Sequence, residues 1–193
     1  MPKVIDDFLN GITMYRLVLY FLIFLLGLAT ILSFFQVLPF NFISLVFSAV
    51  FLTAVCWLAN TIFAKIFKAP TNLESVYISA LILALIITPA RSFEDVLFLA
   101  MAGVFSQASK YILAQSKKHI FNPAGLAIFL TAIILGRSAS WWVGNPQMML
   151  PVLIGGLLVV RKIKRFEMVL SFFLAALVST VGFSLLKGGT LLP

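Results

Sequence analysis

The stretch Leu17–Ala64 reads LVLYFLIFLLGLATILSFFQV-LPFN-FISLVFSAVFLTAVCWLANTIFA and contains no charged residue. Its two apolar runs are Leu17–Val37 and Phe42–Ala64. As helices rising about 1.5 Å per residue, both are long enough to cross an apolar layer about 30 Å thick. The four residues between them include Pro39 and predict a tight turn. The stretch therefore predicts a transmembrane helical hairpin.

The composition of the whole chain agrees with this hairpin. The 193 residues are 62% hydrophobic and 10% charged, and the mean hydropathy is +1.13. These values lie far outside those of soluble globular domains. We therefore predict an all-α, polytopic integral membrane protein with membrane lipid as its surroundings.

Further apolar runs follow the hairpin, and some of them are short. The run Val76–Ala90 ends at Thr88-Pro89, where the proline disfavours helix at the residue before it. Two other runs have only about twelve or thirteen residues, against about twenty for an ordinary span, and predict half-helices. We expect about seven transmembrane segments, including short or broken helices. The five later runs are Val76–Ala90, Val96–Leu113, Ala124–Leu135, Met148–Val160 and Met168–Leu186.

Basic residues predict the orientation. If the N-terminus is cytoplasmic, three basic residues lie outside, Arg91, Arg137 and Lys187, and eleven lie inside. Cytoplasmic loops carry such an excess, which predicts a multi-pass protein of the bacterial cytoplasmic (inner) membrane. The net charge of +8 is thereby explained without nucleic acid. The eleven are Lys3, Arg16, Lys65, Lys68, Lys110, Lys117, Lys118, Arg161, Lys162, Lys164 and Arg165.

The same topology predicts the organisation of the chain. Residues 1–16 form a cytoplasmic N-terminal tail, and residues 17–193 form a single transmembrane helical domain. The apolar ending Leu191-Leu192-Pro193 indicates that this domain is truncated at its C-terminus. Trp141 and Trp142 are expected at the outer interface, where indole rings commonly lie.

The chain is poor in residues for catalysis and metal binding. It has one histidine, His119, and one cysteine, Cys56, which we interpret as a packing residue. These counts exclude a bis-histidine haem and a cysteine-bound iron–sulfur cluster. The carboxylates lie in the tail or in loops, so a carboxylate relay at membrane depth is not expected. We predict no catalytic residue and no metal ligand.

Polar residues within the apolar runs are candidates for the protein interior. Ser106, Gln107 and Ser109 lie on adjoining turns of one run. Polar groups at membrane depth usually face protein or a cavity, so this run should face inward. With Asn60, these residues could line a pathway for a small solute.

The segment Lys117–Gly125, KKHIFNPAG, is the strongest candidate for a ligand site. Asn122 can cap the helix that follows, and Pro123 suits the first turn of that helix. Free N–H groups there, together with Lys117 and Lys118, favour a phosphate or an electron-rich ring. The alternative is an ordinary helix start beside lysines that only set the topology.

Three segments, in this order, resemble the NqrB/RnfD family. They are Thr71–Ser75 (TNLES) with Ser79–Pro89 (SALILALIITP), then Ile120–Ala124 (IFNPA), then Gly155–Arg165 (GGLLVVRKIKR). They match a polar turn that leads into a leucine-rich run ending in proline, an Asn-Phe-Asn-Pro-Ala-like element, and a double-glycine helix with a basic turn. The resemblance runs from about residue 60 to residue 186.

The resemblance implies a flavin. Members of this family are membrane subunits of Rnf and sodium-pumping quinone reductase complexes, which carry flavins and take part in electron and ion transport. By this likeness, Asn122, Pro123, Ala124 and the end of the helix at Thr88 would lie near the flavin. Lys118 and His119 would be candidates for tuning it.

The resemblance also implies the kind of flavin and the partners. The family's covalent-flavin motif, Ser-Gly-Ala-Thr, is missing, and Gly136–Ser140 (GRSAS) stands in its place. FMN or riboflavin is therefore expected to bind non-covalently. The expected partners are a cytoplasmic flavin or NAD(P)H reductase, as a subunit or a fused domain, and other membrane subunits.

Three functions are compatible with the sequence. The first is a membrane electron-transfer module that binds a flavin, an oxidoreductase component rather than a complete enzyme. The second is a small-solute transporter or channel without a cofactor. The third is a structural membrane subunit. A flavin spectrum distinguishes the first function from the other two, and solute flux distinguishes the second from the third.

Overall fold

The computed structural model describes residues 11–115 and 118–186, which form an antiparallel helical bundle. Lys117, the predicted tail up to residue 10 and the ending Leu191–Pro193 lie outside the described residues. The prediction of an all-α protein is confirmed. The helices of the described part are α1 (Met14–Phe34), α2 (Phe42–Ile66), α3 (Leu73–Ile86), α4 (Phe93–Ile112), α5 (Pro123–Leu135), α6 (Pro146–Ile163) and α7 (Phe166–Leu186).

Two small elements complete the described part. A two-residue strand β1, Ala114–Gln115, pairs antiparallel with β2, Lys118–His119. This hairpin lies between α4 and α5. A short 3-10 helix, Trp142–Gly144, precedes α6.

The seven helices lie where seven apolar runs were expected, but the number of membrane spans is lower. Within the described residues, only α1, α2, α6 and α7 are long and apolar enough to cross a membrane. Helices α3 and α5 have 14 and 13 residues. Helix α4 has 20 residues but carries polar side chains in its second half. The expectation of about seven spans is corrected to four, because the three inner helices are too short or too polar.

The half-helix predictions had mixed outcomes. Helix α5 is short, as predicted. Helix α6 is continuous over 18 residues, so the prediction of a half-helix at Met148–Val160 is wrong. The helix begins at Pro146, two residues before the predicted run, because Asn145 caps it by accepting a hydrogen bond from the backbone N–H of Met148 at 2.9 Å. It also continues through Pro151 without a break.

Polar caps explain where the helices begin. Each of the first six has an N-cap whose side chain accepts a hydrogen bond from a backbone N–H of the first turn. Such a cap stabilises a helix by about 1 kcal/mol. At α4 the bond is reciprocal, because the carboxylate of Asp95 also accepts from the backbone N–H of Ser92. The caps are Thr13, Asn41, Asn72, Ser92, Asn122 and Asn145.

Helix α3 is the most enclosed helix of the described bundle. Eight of its 14 residues are buried, and they pack against α1, α2, α4 and α5. A close approach of α2 to α4 completes this core, since a Cβ added to Gly103 would lie 2.9 Å from Cγ1 of Val55. By contrast, α7 has no buried residue in its apolar window and packs on α6. The inner helices are therefore shielded by protein, and α7 is covered by something outside the described chain, such as lipid.

The chain alternates between two ends of the bundle. We call the end where α1, α3 and α5 begin the basic end, after Arg16 and Lys110. There, Arg16 pairs with Glu74 at 3.1 Å. At the opposite end, the Arg91 guanidinium donates to the carbonyl oxygen of Pro39 at 2.9 Å, and Arg137 pairs with Asp95. These contacts fix which helix ends lie together.

Candidate functional site

A cavity of about 350 Å³ opens at the basic end. It lies among the end of α2, the start of α3 and the end of α4, and Ala114 of β1 also lines it. Its volume falls within the range of roughly 300–1,000 Å³ that is typical of small-molecule sites. The lining residues are Tyr15, Asn60, Phe67, Ala69, Pro70, Asn72, Ser75, Lys110, Tyr111 and Ala114.

The amide of Asn60 is the most deeply placed polar group of this cavity. Asn60 is 3% exposed, and its Oδ1 accepts a hydrogen bond of 2.7 Å from the hydroxyl of Tyr111. Its Nδ2 has no hydrogen-bond partner within the described chain. An unpaired buried donor costs about 1–3 kcal/mol, so the packed bundle leaves hydrogen-bonding capacity unused at this nitrogen.

The cavity also holds a lysine. Lys110 lies in the last turn of α4, and its Nζ donates to the backbone carbonyl of Ser75 at 2.9 Å. That carbonyl belongs to the first turn of α3, so the lysine joins the two helices. An ammonium has three donor hydrogens, and this bond uses only one of them. Lys110 is therefore able to donate further into the cavity.

Aromatic rings form part of the walls. The rings of Phe67 and Tyr111 are stacked, with centroids 6.0 Å apart and planes at 26°. Phe63 lies on Tyr111 with a centroid distance of 6.1 Å. Such rings present flat apolar faces on which another planar ring can pack. The site therefore combines flat walls with hydrogen-bond donors.

A polar seam continues from the cavity into the bundle along α2 and α4. Ser106, Gln107 and Ser109 are buried, as the sequence predicts. Ser106 Oγ and the Gln107 amide make no hydrogen bond of normal geometry within the described chain, although the thiol of Cys56 lies against that amide. Cys56 is fully buried, in accord with a packing role. Unpaired groups of this kind usually bind ordered water.

The predicted residues at the start of α5 form a capped helix terminus. Asn122 Oδ1 accepts from the backbone N–H groups of Ala124 at 3.1 Å and Gly125 at 3.4 Å. The expected cap is therefore confirmed, but these two N–H groups are not free for a ligand. Asn122 is exposed, whereas Pro123 and Ala124 are buried.

Lys118 and His119 lie on β2, next to this helix start. The backbone of His119 pairs with that of Ala114, which lines the cavity. The side chains of Lys118 and His119, like the whole of Lys117, lie outside the part of the chain that the structure describes. The hairpin thus connects the cavity to the start of α5 through the backbone.

Thr88 lies at the opposite end of the bundle. Beyond the end of α5, Ser140 donates its backbone N–H to the carbonyl of Ile86 at 2.9 Å, two residues before Thr88. Helix α5 is about 20 Å long at 1.5 Å per residue, so Asn122 and Thr88 are separated by roughly that length. The structure does not bring them together. The two expected flavin contacts lie at opposite ends of the bundle, because α3 and α5 start from the same end, and the flavin itself stays a prediction.

The broken end of α3 is closed by protein. Pro89 and Ala90 are buried although they are not helical, and the N–H of Ala90 donates to Ser48 Oγ at 2.8 Å. Trp142 Nε1 donates to the carbonyls of Ala84 at 3.2 Å and Ile87 at 2.9 Å. Irregular backbone at membrane depth requires such partners. These carbonyls are already paired with protein groups.

Both Trp141 and Trp142 are expected at the outer interface, but their surroundings differ. Trp142 is 6% exposed and packs edge-to-face on Phe40, so its ring faces protein and is not available to lipid. Trp141 is 62% exposed, which is compatible with the predicted interface. The sequence does not predict which of these two adjacent tryptophans is buried, because the path of the chain after α5 determines which indole faces the protein interior.

Charged groups stabilise the opposite end. The Arg137 guanidinium donates to Asp95, and the backbone N–H of Arg91 donates to the same carboxylate at 2.9 Å. Arg137, and to a lesser degree Arg91, holds the pKa of Asp95 well below its usual range. Arg137 also lies 4.9 Å above the ring of Phe98. The cluster clamps the loop after α5 to the start of α4.

The sequence missed Lys110 and Tyr111 as site residues and placed Asn60 only in the transporter hypothesis. Their one visible signal is that Asn60 interrupts a long apolar run and that Lys110-Tyr111 ends another. About fifty residues separate the two positions, so sequence spacing does not pair them. No group of three metal-binding side chains occurs among the residues described.

A scan of known protein families, a search of curated proteins and a search of solved structures each gave no match to this chain. The function is therefore argued from the sequence pattern and the geometry of the cavity.

Proposed function

We propose that this protein is a membrane electron-transfer module that binds FMN or riboflavin non-covalently in the cavity at the basic end. It receives electrons from a cytoplasmic NAD(P)H or flavin reductase, as a partner subunit or a fused domain. It lies in a bacterial inner membrane with its basic end toward the cytoplasm. The observation that carries the proposal is a cavity in which Lys110 has spare donor hydrogens beside stacked aromatic rings.

The residues of the cavity suit a flavin ring. The isoalloxazine is planar, with two carbonyl groups on one edge and methyl groups on the other. Lys110 Nζ can donate to the carbonyl edge, and the Phe67–Tyr111 pair can cover a ring face. Asn60 Nδ2 is covered by protein, so it would join these contacts only if its side chain turned toward the cavity. When bound, the flavin supplies the redox chemistry, because it accepts two electrons together and releases them one at a time.

The position of the cavity supports the exchange of electrons with a soluble partner. It lies where α1 and α3 begin, and the excess of basic residues predicts that this end faces the cytoplasm. Tyr15 and Pro70 are exposed lining residues, so the cavity opens at the surface. A reductase that docks on this end could approach the ring without entering the bundle.

The first test is the visible absorption spectrum of the purified protein before and after acid precipitation. We expect a flavin band that acid releases into the supernatant. Asn60→Leu should reduce the flavin content about tenfold, because it removes the hydrogen bond that holds the Tyr111 wall of the cavity, worth about 1.5 kcal/mol. The matched control is Thr61→Val on the same helix, outside the cavity, which should keep its flavin. A well-folded wild-type protein that stays colourless after riboflavin or FMN is added contradicts the proposal.

The unpaired groups of the polar seam favour a second candidate function. Ser106 Oγ and the Gln107 amide lie one to two turns further into the bundle than Lys110 and Tyr111, which line the cavity. A hydrated seam below an open cavity is also a feature of small-solute transporters or channels. Solute flux into vesicles that contain flavin-free protein would support this candidate, and a Gln107→Leu variant should then abolish the flux.

A further inference from the structure

Lys110 is the one charged side chain among those that line the cavity within the described chain. Its Nζ has a single described hydrogen bond, to a neutral carbonyl. The nearby carboxylate of Glu74 is paired with Arg16 at 3.1 Å and does not line the cavity. A partly buried ammonium without an anion is costly. The cavity is therefore electrostatically suited to a negatively charged ligand.

We propose that the cavity binds reduced flavin more tightly than oxidised flavin, with Lys110 facing the carbonyl edge of the ring. This inference rests on the proposed function. Preferential binding of the reduced form raises the reduction potential of the bound flavin, so the module accepts electrons more readily from the reductase.

The charge change on reduction supplies the physical reason. Reduction of the ring would take two electrons from the reductase and one proton from solvent, and one N–H bond would form on the flavin. The ring gains one negative charge, which is spread over the nitrogen and carbonyl oxygen of its dione edge. Lys110 would neutralise this charge.

The test is a redox titration of the riboflavin-loaded protein, with free riboflavin as the reference. We expect reduced riboflavin to bind at least about tenfold more tightly than oxidised riboflavin, which is a positive shift of about 30 mV for a two-electron couple. Lys110→Gln should remove most of the shift, and Lys110→Arg should keep it. The matched control is Lys65→Gln, since Lys65 is exposed at the same end but does not line the cavity.

Direct binding to the wild-type protein makes the test independent of variant folding. Dissociation constants for oxidised and dithionite-reduced riboflavin are measured under anaerobic conditions. Equal affinities, or an unchanged potential in flavin-loaded Lys110→Gln, would overturn the inference while leaving the flavin site intact. Failure of the wild-type protein to bind either form would instead overturn the proposed function.

Discussion

The two ends of the bundle contrast in how they treat polar groups. At the opposite end, the helix α3 stops short and irregular backbone is buried, yet Trp142 and Ser140 donate to the exposed carbonyls of α3. At the basic end, the helices have ordinary caps, yet the buried amide nitrogen of Asn60 lacks a partner in the described chain. The broken end of α3 is therefore satisfied by protein groups. Unsatisfied hydrogen-bonding capacity is not confined to the basic end, because Ser33 Oγ near the end of α1 is also buried without a described partner.

The same contrast predicts that substitutions at the two ends affect different properties, stability at the opposite end and ligand binding at the basic end. The opposite end is closed by hydrogen bonds and an ion pair, so changes there should lower stability and leave the cavity unaffected. The basic end has spare donors, so changes there should lower affinity for a ligand more than stability. The following predictions test this division.

The largest expected effect comes from Trp142→Ala at the opposite end. The change removes a buried indole and leaves the carbonyls of Ala84 and Ile87 without their described side-chain donor, which should lower the free energy of unfolding by about 3–5 kcal/mol. Denaturation of the protein in detergent measures this loss. Trp141→Ala, at an exposed neighbour, should cost less than about 0.5 kcal/mol. Equal costs for the two variants would contradict the contrast between these neighbours.

The next effect is on ligand affinity at the basic end. Tyr111→Phe removes the hydroxyl that orients the Asn60 amide, and we expect riboflavin affinity to fall by up to about tenfold, the equivalent of about 1.4 kcal/mol. The melting temperature should also fall, because the buried Oδ1 of Asn60 loses its described donor, so this variant tests ligand affinity and not the division between the two ends. Fluorescence titration with riboflavin measures the affinity. Tyr20→Phe, on the exposed face of α1, is the matched control and should bind like the wild type.

A smaller effect is expected from Asn122→Ala at the start of α5. Loss of the cap should cost about 1 kcal/mol of stability, and Asn122→Ser should restore most of it because serine also caps helices. The flavin content of the Asn122→Ala variant distinguishes between two locations of the flavin site, the cavity at the basic end and the start of α5. Retained flavin favours the cavity, whereas loss of flavin in folded Asn122→Ala would support the location that the family resemblance implies.

The smallest effect is expected from Asp95→Asn in the surface cluster with Arg137. Because the pKa of Asp95 is lowered in the folded protein, its stabilising contribution is present above the unfolded pKa of about 3.9 and is lost as the pH falls below that value toward the lower folded pKa. The stability difference between wild type and variant should therefore shrink as the pH falls below about 4. Thermal denaturation at several pH values measures it, and Glu94→Gln is the control.

Much of the helical architecture follows directly from the sequence. Apolar runs predict the positions of all seven described helices, and Asn122 is identified as a cap from its place before Pro123. Span number is predicted less well, because hydropathy alone does not tell a short helix enclosed by protein from one that crosses lipid. Helix α3 shows this, since eight of its 14 residues are buried by neighbouring helices.

The candidate site is much less predictable. Asn60 and Lys110 are each visible as polar residues near helix ends, but about fifty residues separate them. Their convergence depends on the antiparallel packing of α2 and α4. The same holds for Thr88 and Asn122, which the family resemblance implies to be neighbours and which the packing places at opposite ends.

The sequence by itself determined that this is a multi-pass membrane protein, where its helices lie and that Asn122 caps one of them, because hydropathy and capping act over a few residues along one segment. Only the tertiary structure decided which polar groups are paired and which are left to a ligand. Hydrogen bonds such as Trp142 to Ile87 and Tyr111 to Asn60 join residues about fifty positions apart, and no local pattern encodes them. Satisfaction of buried polar groups is a property of the packed bundle, and the candidate site is one of several places where it is incomplete.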